Sequence, residues 1–86
     1  MALSNYNNAA TYALEEYLGP DEYTEDQVEL VGDLMEQARQ TWAEDENFAV
    51  LLLEKASTYV CADMDEDELE HWVDLCIDGI AEFVGF

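Results

Sequence analysis

Eighty-six residues make one small domain with a single core, and half of them are apolar, so the chain has the material to fold and is no disordered acidic tail. Two Lys and Arg stand against 22 Asp and Glu, a formal net charge of −20. Repulsion excludes nucleic acid and anionic membrane surfaces as direct partners, leaving a basic protein surface or a cation.

Helical spacing runs through the sequence and no strand-period alternation competes, which predicts an all-α fold: one acidic domain, 1–86, forming a small bundle of about four helices. Ser4 or Asn5 is suited to cap a first helix to about Leu18, with Tyr6, Ala9 or Ala10, Ala13, Leu14 and Tyr17 at helical intervals. Gly19-Pro20 ends it, since glycine tolerates the left-handed position and proline cannot continue the ladder. Thr24 followed by Gln27 reads as a capping box opening a second helix to about Ala43. The acidic link Glu44-Asp45-Glu46 leads into Phe48–Val60, where Phe48, Ala49, Val50, Leu51, Leu52, Leu53, Ala56, Tyr59 and Val60 cover most of a helical circumference and Glu54 is the sole acid. A helix apolar nearly all round has no face for water, so this segment is expected to be a buried central helix, ending near Cys61 or Ala62, with the others packed around it. Asp63 to Glu68 then supplies an N-cap and an acidic first turn for a final helix, about Asp65 to Val84, favoured by the positive end of the helix dipole.

The acids form rows. Glu22, Glu25, Asp26, Glu29, Asp33 and Glu36 project to one side of the second helix, opposite Val28, Val31, Leu34, Met35, Ala38 and Trp42. Glu66, Glu70, Asp74, Asp78 and Glu82 recur at i, i+4 on the final helix, a row that winds slowly around it, while Leu69, Trp72, Val73, Cys76, Ile77, Ile80 and Phe83 face the core. Like charges at i, i+4 cost about 0.2–0.5 kcal/mol per pair, and solubility of a small domain needs a net charge of only about 2–8. A solvated face is the ordinary meaning of one such row. Two rows with almost no interleaved base argue for a function in the charge itself. A compact chain of this length spans about 30 Å, and duplex DNA of that length carries about 18 phosphates. Phosphate mimicry is therefore the expected function: Glu22, Glu25, Asp26, Glu29, Asp33, Glu36, Glu44, Asp45, Glu46, Asp63, Asp65, Glu66, Asp67, Glu70, Asp74, Asp78 and Glu82 would meet a basic partner, held in place by the rigid helices.

Other chemistry is set aside. Asp63, Asp65 and Asp67 match the first ligands of a calcium loop, but Glu68 stands where its glycine belongs and Asp74 where its glutamate belongs. Cys61, His71 and Cys76 fit no zinc spacing. The cysteines are expected to be reduced small hydrophobes, and Ser57-Thr58 near His71 lacks a third partner, so no cofactor, metal or catalysis is expected. The first eight residues carry no basic region or long apolar run, and no stretch approaches the ~20 apolar residues of a membrane span, so a cytoplasmic protein is expected. Tyr6, Tyr12, Tyr17, Tyr23 and Tyr59 either pack the core boundary or anchor a basic partner. Phe83, Val84 and Phe86 either complete the core or form a homodimer patch.

The opening Met1-Ala2-Leu3-Ser4-Asn5-Tyr6-Asn7-Asn8, running into Tyr12, Glu15, Glu16 and Tyr17, resembles the start of the phage Ocr-type anti-restriction proteins. The resemblance covers about the first sixth of the chain and implies a small, all-helical, dimeric mimic of bent DNA. Such a protein occupies the DNA site of a host type I restriction-modification enzyme. A CRISPR effector, a DNA glycosylase, RNA polymerase or a nucleoid protein are alternative targets. A cation- or basic-protein-binding module without DNA mimicry is a rival of another class, and acidity suited to a high-salt habitat is a third explanation.

Overall fold

The computed structural model describes residues 5–86, so the capping role of Ser4 and the start of the Met1–Asn8 motif lie outside the described residues. Four helices account for the fold: α1 (Asn5–Leu18), α2 (Glu25–Thr41), α3 (Glu46–Ser57) and α4 (Glu66–Phe83). The expected all-α, four-helix bundle is what the chain forms, and its boundaries follow the chemistry of the caps. Thr24 Oγ1 accepts from the Gln27 amide and Gln27 Oε1 accepts from the Thr24 amide, a complete capping box. Asp45 caps α3 through the Phe48 amide, and Asp65 caps α4 through the Glu68 amide. Gly19 has φ 109°, the left-handed stop expected of it, and its amide closes α1 on the Glu15 carbonyl.

Packing makes a closed ring. α1 lies between α2 and α4, α3 lies against α2 and more sparsely against α4, and α1 and α3 occupy opposite corners. Trp72 of α4 fills the centre: it is fully buried, its indole Nε1 donates to the Leu53 carbonyl of α3 at 3.1 Å, and the Tyr17 ring of α1 stands edge-on to it at 5.8 Å. The Cα envelope is a slab, 36 × 34 × 18 Å.

The expectation of α3 as a buried central helix is corrected. Ala49, Leu53, Ala56 and Ser57 point inward, but Phe48 is 49% and Leu51 58% exposed. In a ring of four, each helix has two neighbours and keeps an outer face, so apolar residues all round do not by themselves wrap a helix. α3 also stops at Ser57, short of Cys61. The amides of Thr58, Tyr59 and Val60 turn back to the carbonyls of Lys55, Ala56 and Ser57, tightening the chain to i→i+3 bonds. The Ser57 and Thr58 hydroxyls donate to the Glu54 and Lys55 carbonyls and reinforce that end.

α1 meets its two neighbours through small residues. Ala9, Ala10 and Ala13 are fully buried. A Cβ built on Gly79 of α4 would come within 2.8 Å of the Ala9 carbonyl oxygen, and one built on Gly32 of α2 within 2.7 Å of Asn7 Oδ1. Absent side chains on both flanking helices let their backbones close on α1.

Candidate functional site: the carboxylate surface

None of the 22 carboxylates is buried, and all but the half-buried Glu36 and Glu54 are exposed. Every residue expected to meet a partner is therefore on the outside, but they do not make one row. Glu25, Asp26, Glu29, Asp33 and Glu36 ride on α2, with the expected Val28, Val31, Leu34, Met35 and Ala38 buried behind them. Glu22 is corrected: it belongs to the turn before α2, where its amide returns to the Gly19 carbonyl and Asp21 has φ 66°, so it is not on the helix. Glu25 to Glu36 is eleven steps of the helix, about 17 Å of axis, so its five carboxylates stand on average about 4 Å apart, wider than the ~3.4 Å per charge of one DNA strand.

The α4 row winds as its spacing requires. Glu70 and Asp74 line a groove against α3. Asp78 and Glu82 lie by Tyr12 of α1, on the other flank. Burial raises the Tyr12 hydroxyl's pKa, and the negative charges of Asp78, Glu16 and Glu82 raise it further. Phe83, expected in the core, is 41% exposed at the α1 edge, its ring 6.1 Å from Tyr12. Glu44, Asp45 and Glu46 cluster where α3 begins, and Asp63, Asp65, Glu66 and Asp67 where α4 begins, all exposed. Asp45 and Asp65 have their carboxylates engaged as caps, a fixed position that a free surface acid lacks.

Acids outside the expected set also have structural partners. Tyr17 donates to Glu68 Oε2 at 2.7 Å, and this bond above all pushes its pKa up to about 12. Tyr23 donates to Glu15 Oε1 at 2.9 Å, and its pKa is raised for the same leading reason. Glu54 faces Glu70 and Asp74 across the α3–α4 groove together with Glu46. The spacing Glu46-Val50-Glu54 on α3 is the sequence signal for that wall, with Glu46 in the acidic link and Glu54 the sole acid of the apolar segment Phe48–Val60.

Of the two bases, Arg39 is turned to the C-terminal segment: its Nε donates to the Gly85 carbonyl at 2.8 Å and its guanidinium sits 5.3 Å from the Phe86 ring centre. The Trp42 ring lies 5.1 Å from the same ring, tilted by 52°. The thiol of Cys76 is buried, which pushes its pKa up, and Cys61 is half-buried. Among the described residues no group of three or more His, Cys, Asp and Glu is placed to hold a metal ion, and no helix is long and apolar enough to cross a membrane. No family model matches the chain, and neither curated proteins nor solved structures give a match.

Proposed function

We propose that the chain is a decoy of duplex DNA that occupies the DNA-binding surface of a basic protein. The observation that carries this reading is the set of exposed carboxylates held on helices whose opposite faces are locked in the core. The slab is 36 Å long. Duplex DNA of that length carries about 21 phosphate charges at one per ~1.7 Å, against the −20 of the chain. Few of these acids are free to collapse onto bases of their own, because Arg39 is committed to the C-terminal segment. A partner therefore meets carboxylates whose helical frame is already ordered, and pays mainly for their side-chain rotamers.

The first target to test is a phage-host type I restriction-modification enzyme, the class to which the N-terminal resemblance points. The chain should bind the purified enzyme, more weakly as salt is raised, and should displace labelled duplex from it. Binding that persists unchanged at high salt and in excess DNA would overturn the reading.

A further inference from the structure

The groove between α3 and α4 has a composition that phosphate imitation does not require. Glu46 and Glu54 stand on its α3 wall, Glu70 and Asp74 on its α4 wall, and Trp42, Val50, Val73 and Ile77 form its apolar surface, enclosing ≈ 400 Å³. It lies along the seam of α3 and α4, the sparsest-packed adjacent helices of the ring. Charge alone would serve a decoy; an apolar floor between two acidic rims favours an occupant that is greasy along one stripe and cationic on both sides of it.

We propose that this groove receives about two turns of a cationic amphipathic helix from the basic partner, the length set by the ~12 Å rise from Glu46 to Glu54. The inference deepens the function proposed above, because it takes the partner to be a basic protein. An extended segment is a poor occupant, since the walls are helix sides whose backbone groups are already paired and could not satisfy a strand's amides and carbonyls. A helix brings its own backbone bonds and needs only side-chain complementarity. A second copy of the chain cannot supply the cations, having only Arg39 and Lys55.

The test uses the full chain, isotopically labelled, with two synthetic probes of equal charge: a short helix of leucine and lysine with leucines at i, i+3, i+4 and i+7, and an oligolysine. The amphipathic helix should bind about tenfold more tightly, as expected from burying one or two leucines, with amide shifts concentrated in residues 46–54 and 70–77. Ile77→Gln should erase that preference while leaving oligolysine affinity unchanged. Val50→Gln, on the other wall, should do the same and serves if the first variant is unfolded by circular dichroism. Equal affinity for the two probes, or shifts spread along α2, would overturn the groove even where DNA displacement succeeds. Selective peptide binding without DNA displacement would support the groove and overturn the mimicry alone.

Discussion

Tyr17 and Glu68 join the first helix to the last across 51 residues of sequence through a single hydroxyl-to-carboxylate bond of 2.7 Å. The same tyrosine ring packs edge-on against Trp72, so one side chain fixes the core tryptophan on its inner edge and an acid on its outer tip. The bond exists only while the hydroxyl keeps its proton. The folded pKa of about 12 lies above the ordinary 10.0, so the protonated form is favoured by folding. The stability this contributes is complete below pH 10 and is lost as pH rises from there through about 12. Tyrosinate absorbance should show a late ionisation step that Tyr17→Phe removes. The variant should lose less than about 1 kcal/mol at neutral pH, because the pair is open to solvent. A Tyr17→Phe titration identical to that of the parent chain would mean the bond does not form in solution.

Gly79 should be the least replaceable residue of α4. Alanine there would place its Cβ 2.8 Å from a backbone oxygen, that of Ala9, and 3.3 Å from the Tyr12 ring. Backbone cannot swing aside, so α1 and α4 would have to separate, at a cost of about 1–3 kcal/mol. Gly32→Ala meets the end of the Asn7 side chain at 2.7 Å, while the nearest backbone atom is 3.5 Å away. A side-chain tip yields more readily than backbone, and alanine recovers up to about 1 kcal/mol of helix propensity against the cost of shifting Asn7. Urea unfolding should therefore rank Gly79→Ala well below the parent and Gly32→Ala close to it; the reverse order would refute α1 as the helix both glycines clasp.

These two glycines also explain how much of the fold could be read beforehand. The four helices, the Thr24–Gln27 box, the Gly19 stop and the buried stripe of α2 all follow from local rules, because each depends on residues within one or two turns of each other. The order of packing does not. Ala9, Ala10 and Ala13 look unremarkable beside the leucines of α3, yet close approach of backbones, not side-chain bulk, put α1 between two partners. The apolar stretch Phe48–Val60 predicts a buried α3 only if apolarity means burial, and the ring leaves Phe48 and Leu51 facing out. For the site, exposure of the carboxylates was legible from the wheel. The facing of Glu46 and Glu54 with Glu70 and Asp74 was not, because it requires knowing that α3 and α4 are neighbours.

The C-terminal segment should be worth a measurable part of the stability despite its exposure. Phe86 is 52% exposed, yet its ring is close to both Trp42 and the Arg39 guanidinium, whose Nε also holds the Gly85 carbonyl. Gly85 has φ 93°, which turns the chain back toward α2. Phe86→Ala should cost about 0.5–1.5 kcal/mol through the ring and cation contacts, and should change the Trp42 emission while Trp72 stays sealed in the core. An unchanged melting curve and emission spectrum would count against the clasp.

Neutralising the α2 row should move stability and binding in opposite directions. Asp33 lies four residues from Glu29 and three from Glu36, all on α2. Asp33→Asn relieves two like-charge pairs, a gain of about 0.4–1 kcal/mol, or roughly 2–8 °C in Tm for a domain of this size. Added salt should bring the parent chain part of the same gain, since these neighbours lie about 5–6 Å apart and the screening length falls from ~10 Å at 0.1 M to ~3 Å at 1 M. Asp33→Asn should at the same time weaken DNA displacement and lower its salt slope by about one, the signature of one lost ionic contact. A face kept only for solubility has no reason to retain a repulsion that asparagine removes. If the variant is more stable and displaces DNA as well as the parent, the α2 row is a solvated surface and contributes nothing to partner binding.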